Sequence, residues 1–251
     1  KEYDMKPDIT SLIIYEDPHI IICHKPAGIA VQTSRIGAHD MVSLLKNHLS
    51  DSRAQEQQKS RQPGRQNNEP YLAVIHRLDQ PVEGLLVFAK TPKAAKELNR
   101  QLTSSGFGKH YRALVMGTPE PPEGTLEDYL VKDARTNTSR VCTKDTPGAK
   151  LARLHYHVKE ICADTQPVTS LVEIQLDTGR HHQIRVQMAH LGCPLVGDRK
   201  YGGTAAPSGQ TDTAVRQLAA HTENTGELRL CAYCLEFRHP ESGKKMIFSL
   251  D

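Results

Sequence analysis

Apolar residues fall along this chain in short solid runs, in alternating stretches and in a few helically spaced stripes. Residues 20–23 are solidly apolar and lead into Lys25-Pro26-Ala27-Gly28, which predicts a strand followed by a turn. Residues 71–75 and 84–90 read as two more strands, separated by the polar segment 76–83. Residues 110–116 alternate, with Tyr111, Ala113 and Val115 on one side, and residues 171–176 alternate as well. Residues 235–237 and 246–250 flank His239-Pro240-Glu241-Ser242-Gly243, a hairpin turn sequence. Helical spacing is rarer. Thr91 is a good N-cap, Pro92 suits the first helical position, and Ala95, Leu98 and Leu102 form a stripe. Ile184, Met188 and Leu191 form a second stripe within residues 181–191, and Val42, Leu45 and Leu49 a third. Several strands with few helices, and no regular βαβ rhythm, predict an α+β fold with a mostly antiparallel central sheet flanked by helices and loops.

Two stretches lack any such pattern. Residues 51–70 (DSRAQEQQKSRQPGRQNNEP) hold one aliphatic side chain, Ala54, and cannot offset their ordering entropy by burial. They are expected to form a mobile insertion in what otherwise reads as a single domain over residues 1–251. Residues 203–217 are a weaker case of the same kind. The polar stretches account for a modest hydrophobic share, 37% of 251 residues. No apolar run approaches the roughly 20 residues of a membrane span. The start, Lys1-Glu2-Tyr3-Asp4, is polar and does not read as a signal peptide. Cys23, Cys142, Cys162, Cys193, Cys231 and Cys234 are dispersed through apolar segments, which predicts reduced thiols and a cytoplasmic setting. Cys231 and Cys234 form a lone CxxC, which reads as core because a structural zinc site wants four ligands.

The formal charge of +3 permits a nucleic-acid partner without requiring one. Local chemistry is more telling. His76-Arg77-Leu78-Asp79-Gln80-Pro81-Val82-Glu83 is a charged loop between two apolar strands, a common way to present an active site and also a plain surface ion pair. Lys109-His110-Tyr111-Arg112 places a Tyr on the apolar side of a strand, where a core role is the ordinary one. Thr178-Gly179-Arg180-His181-His182-Gln183-Ile184-Arg185 turns from a strand into a helix, with His181 and Arg185 four apart on one face. The paired histidines, with His190, invite a zinc-hydrolase reading, but neither HExxH nor a four-ligand set is present. Between residues 132 and 150, Lys132, Arg135, Arg140, Lys144 and Lys150 face only Asp133 and Asp145, a basic strip or a solvated loop.

Taken together, these segments resemble the RluA-type RNA pseudouridine synthases. The resemblance rests on five ordered motifs: IIYEDPHIIICHKPAG (13–28), HRLDQPVEGLLVFAK (76–90), KHYRALVMG (109–117), TGRHHQIRVQMAHLGCPLVGDRKYG (178–202) and LRLCAYCLEFRHPESGK (228–244). It implies the catalytic fold of that family and isomerisation of uridine to pseudouridine in ribosomal or transfer RNA, by a monomer, with no metal and no cofactor. It implies that Asp79 is the catalytic residue and that Arg77 helps hold the nucleotide out of its stack. Tyr111 would pack on the base and take the proton from C5, and Arg185 would pair with the aspartate. His76, Arg180 and His182 in the same motifs, with Lys132, Arg135 and Arg140 of the basic strip, are the expected RNA contacts. The first motif departs from its commonest form, HRLDRDTSG, at Gln80 to Glu83, and His181 stands where Thr or Ser is more usual. The alternative is an RNA-binding protein on this scaffold that no longer catalyses.

Overall fold

The structure is a computed structural model that describes residues 8–35, 37–60, 69–104, 106–163, 166–202 and 228–250. Along the chain the elements are α1 (Ile9–Leu12), β1 (Ile13–Glu16), β2 (Ile20–Lys25), α2 (Met41–Ser60), β3 (Ala73–Val74), β4 (Glu83–Ala89) and α3 (Pro92–Thr103). There follow β5 (Gly108–Met116), β6 (Glu123–Asp133), β7 (Thr138–Cys142), β8 (Lys150–Cys162), β9 (Thr169–Leu176), α4 (Gln183–His190), β10 (Leu230–Arg238) and β11 (Lys245–Ser249). The chain forms two compact units, one built from residues up to Phe107 plus Leu235–Leu250, the other from Gly108–Cys234.

In the first unit the strands run in the order β1-β2-β4-β10, with β3 beside β4 and β11 beside β10. β2 and β4 pair antiparallel from Ile20↔Ala89 to Lys25↔Gly84. Every residue of β4 is buried, which is why it reads as a solid apolar run rather than an alternation. One of its faces, with Leu85 and Val87, packs with Ile20 and Ile22 against Ala94, Ala95 and Leu98 of α3. Thr91 caps α3 as its sequence predicts, its hydroxyl accepting from the Ala94 N–H at 3.1 Å. Gln101 ties the helix to β10, donating to the Arg238 carbonyl at 2.9 Å and accepting from its N–H at 2.8 Å.

α2 departs from expectation. It runs on to Ser60, well inside the polar stretch expected to be a loop. Met41, Leu44, Leu45 and Leu49 are buried and anchor its first half. Beyond them Arg, Ala, Gln, Glu and Lys are good helix formers that need no burial to propagate an existing helix. Residues 61–68 and 203–217, which carry the rest of the expected loops, lie outside the described residues.

The second unit orders its strands β5-β9-β8-β6-β7, and the pairs β5/β9, β8/β9, β6/β8 and β6/β7 are all antiparallel. α4 lies against this sheet, with Val186 packed on Leu130 and Ala152, and with Val141 and Tyr201 at the edge of the cluster. β6 and β8 were not anticipated from the sequence. In β8, buried Ala152, Leu154 and Tyr156 alternate with Arg153, His155 and His157, and that charged outer row masks the strand signal. Cys231 and Cys234 both sit on β10, three apart, so their side chains leave opposite faces of the strand. No disulfide joins them or the other four cysteines.

Candidate active site

In the first unit the polar loop 76–82 leaves β3 and enters β4, and the end of β2 holds it in place. Lys25 is fully buried there. Its ammonium donates to the carbonyls of Pro26 at 2.9 Å, Ile29 at 2.7 Å and Gln80 at 3.0 Å. The Gly28 N–H also donates to the Gln80 carbonyl, at 2.9 Å, while the Gln80 side chain donates back to the Gly28 carbonyl at 2.8 Å. Gly28 has a φ of +87°, open to glycine without strain. Asp79, next to this clamp, is partly exposed, and its carbonyl accepts from the Val82 N–H at 3.0 Å in a tight turn. Burial pulls the Lys25 ammonium down to about 8, opposed by the negative charges of Asp79 and then Glu83. Lys25 is thus a cation shared by both carboxylates of the loop. Glu83 is itself buried and hydrogen-bonded to Nε2 of His24 at 2.7 Å.

Two expected RNA contacts in this loop differ. Arg77 is exposed, its guanidinium donating to Gln32 at 2.7 Å. His76 is buried, its ring edge-on to Phe107 at 5.6 Å and its Nε2 accepting from the Val87 N–H at 3.4 Å. A side chain in that position supports the loop from the core, one residue before the exposed Arg77.

In the second unit Tyr111 is buried on β5 opposite Ile174 of β9. Lys109, on the same face two residues earlier, is also buried, and its Nζ lies 3.4 Å from where a Cβ would stand on Gly179. Burial holds its pKa below the ordinary lysine value, Arg180 pushes it the same way and Asp177 opposes. Lys109 and Arg180 therefore concentrate positive charge at the Thr178–Arg180 turn. The Arg180 Nε donates to the Leu151 carbonyl at 2.7 Å.

Arg185 lies in α4 with its guanidinium doubly bonded to Asp198, Nε to Oδ2 and Nη2 to Oδ1, each at 2.7 Å. The two side chains are 6% and 0% exposed. The guanidinium also lies over the Tyr201 ring, 5.2 Å from its centroid. His182 precedes the helix in a left-handed conformation (φ +54°), so His181 stands outside α4 and does not share a helical face with Arg185, contrary to the spacing argument. His182 is buried, 2.8 Å from the Tyr201 hydroxyl, and stacks on His181 at 3.7 Å between centroids. No group of three or more His, Cys, Asp or Glu placed to hold a metal occurs among the described residues. Lys132, Arg135 and Arg140 are all exposed on the β6–β7 hairpin. Lys132 is opposite Ser139 and Arg140 opposite Val131, so the two cations leave opposite faces of the ribbon instead of forming one strip.

Sequence reasoning gave no role to Lys25, Glu83, Lys109, Asp198 or Tyr201. All five lie inside the quoted motifs; their burial and charge partners arise from tertiary contacts that no periodicity reports.

Comparison with known proteins agrees with the motifs. The family model described as RNA pseudouridylate synthase matches residues 19–190. Ribosomal large subunit pseudouridine synthase D of Nitrosomonas europaea is 33% identical over 239 residues, covering 94% of this chain and 60% of that protein. The protein of the same name from Xylella fastidiosa is 36% identical over 240 residues, covering 93% of this chain and 63% of the relative. The chain thus spans about three fifths of the length of these curated relatives. The solved structure of human RNA pseudouridylate synthase domain containing 4 has the same fold, with a TM-score of 0.68 at 22% identity over 97% of this chain and 89% of that one. With a family match across more than half of its length, this chain belongs to the RNA pseudouridylate synthases, of the RluA type its motifs resemble.

Proposed function

We propose that this protein is an RNA pseudouridine synthase acting on uridines in structured RNA, ribosomal or transfer, with Asp79 as its catalytic carboxylate. The observation that carries the reading is the fixing of the Asp79 loop by Lys25, Gln80 and Gly28. Three hydrogen bonds converge on Gln80, the residue after Asp79, and hold the carboxylate on a rigid frame. Such preorganisation is what a positioned catalytic group needs.

The reaction balances without a co-reactant. The C1′–N1 bond breaks, the uracil turns, C1′ joins C5, and the proton lost from C5 is matched by one gained at N1. Asp79 acts at the sugar and Tyr111 takes the C5 proton, while Arg185, paired with Asp198, is a further motif residue of the proposed site. The target base leaves its stack, at a cost of a few kcal/mol. Arg77, exposed beside Asp79, suits the role of filling the gap, since a guanidinium both stacks and contacts phosphate. Arg180, Lys109 and the hairpin cations are proposed to meet phosphates. The names of the relatives favour ribosomal RNA. The protein is proposed to be a monomer in the cytoplasm, a setting in which six cysteines without a disulfide are expected.

The test is release of tritium from RNA labelled at uracil C5, with ribosomal and transfer RNA transcripts as separate substrates. Release from at least one class is expected. Binding to both with release from neither would replace this reading with the non-catalytic one.

A further inference from the structure

The β6–β7 hairpin turns through Asn137, which is left-handed (φ +50°), and is fastened to the rest of the second unit at three points. The Tyr201 hydroxyl accepts from the Ser139 N–H at 2.7 Å. The Lys200 ammonium donates to the Asn137 carbonyl at 3.0 Å. The His181 ring spans the turn, with Nδ1 2.9 Å from the Ser139 hydroxyl and Nε2 3.2 Å from the Asn137 side-chain oxygen. The stack on His182, itself bonded to Tyr201, sets the plane in which the His181 ring reaches across. Residues 198–201 also hold Arg185, through Asp198, whose Oδ1 accepts from the Lys200 N–H at 3.1 Å. Hairpin tip and Arg185 therefore share one support.

From this geometry we infer that His181 is a specificity-determining positioning residue, which fixes the β6–β7 hairpin and its cations relative to the Thr178–Arg180 turn and Arg185. The inference rests on the RNA reading above. β6 pairs with β8 only as far as Leu130, so beyond it the hairpin tip is a two-stranded ribbon, marginal by itself, and its pose depends on such fastenings. Lys132, Arg135 and Arg140 ride on that ribbon. Held in place, those on the face turned to the RNA meet phosphates at a set distance from the target uridine. Released, they must be ordered at each binding event, which costs affinity and leaves the chemical step alone. The RNA most affected is one large enough to reach the hairpin as well as the target loop.

The test compares His181→Ala and His181→Gln with wild type. Gln can donate to the Asn137 oxygen and accept from the Ser139 hydroxyl, so it should restore function that Ala loses. In the free protein, hydrogen exchange over residues 137–142 should quicken in the Ala variant by roughly tenfold, the size expected for a lost side-chain hydrogen bond or two. It should return towards wild type in the Gln variant. On a long structured RNA, the Ala variant should raise KM about tenfold with kcat within about twofold, while a short stem-loop holding only the target uridine shows no change. Unchanged exchange, a fall in kcat at constant KM, or equal losses on long and short RNA would each overturn the inference. If wild type releases no tritium, the catalytic reading fails, and exchange with the ratio of Kd for long and short RNA still decides this one.

Discussion

Replacing Lys25 by Met tests the frame on which the proposed chemistry depends. The substitution keeps most of the side-chain volume and removes a fully buried ammonium. The carbonyls of Pro26 and Ile29 lose the ammonium as donor, that of Gln80 keeps only the Gly28 N–H, and Asp79 and Glu83 lose a neighbouring cation. Breaking a buried charge set by removing one member costs about 3–5 kcal/mol. At about 3 kcal/mol, the melting temperature near neutral pH should fall by roughly 6–12 °C. The pH dependence is more specific. Burial lowers the Lys25 pKa from 10.5 to about 8, so between those values the unfolded chain holds a proton that the folded one has released. Stability conferred by Lys25 therefore rises with pH across that window, by about 1.4 kcal/mol per unit. Below pH 8 the lysine is charged in both states and its contribution is flat. Denaturant unfolding of wild type and variant at intervals from pH 7 to 10 measures the difference directly, since other titrations cancel. The gap should widen above pH 8, while wild-type activity declines there as Asp79 loses its neighbouring cation. A gap that stays constant to pH 10, or a variant as stable as wild type at pH 7, refutes the reasoning.

Other consequences follow from the same contacts. Asp198→Asn should destabilise the protein by about 3–5 kcal/mol in denaturant unfolding, because it leaves the Arg185 guanidinium buried without its counter-charge; a change below about 1 kcal/mol would show that the pair is not holding Arg185. Ala54→Pro should remove helical ellipticity at 222 nm and shift the melting temperature by no more than about 2 °C, since residues 50–55 of α2 bury no side chain and Ala54 itself is exposed. A fall of more than about 5 °C would place that part of α2 in the cooperative core.

Much of the fold was legible because burial and pattern coincide. β4 is a solid apolar run because both faces are covered, and α3 carries its cap, its proline and its stripe in plain order. β6 and β8 were harder, since their exposed rows are charged and a half-buried strand then resembles a polar loop. α2 extended further than burial alone allowed because helix propagation needs only propensity once a nucleus is packed. The candidate site was legible through its motifs rather than its physics. Asp79, Tyr111 and Arg185 were singled out, but burial of Lys25 among three carbonyls, the His24–Glu83 pair and the Arg185–Asp198 pair depends on distant segments meeting. His76 and His182, expected at the RNA, are buried, a placement that the motif alone does not report.

The central claim is that Asp79 performs the isomerisation on a loop held for that purpose. Asp79→Asn keeps size and shape and removes the charge. Wild type and variant should be incubated with the RNA that releases tritium, and the RNA digested to nucleosides and resolved by chromatography. The account predicts pseudouridine with wild type and none with Asp79→Asn, while RNA binding and melting temperature stay close to wild type. Pseudouridine formed by the variant at a rate near that of wild type would contradict it.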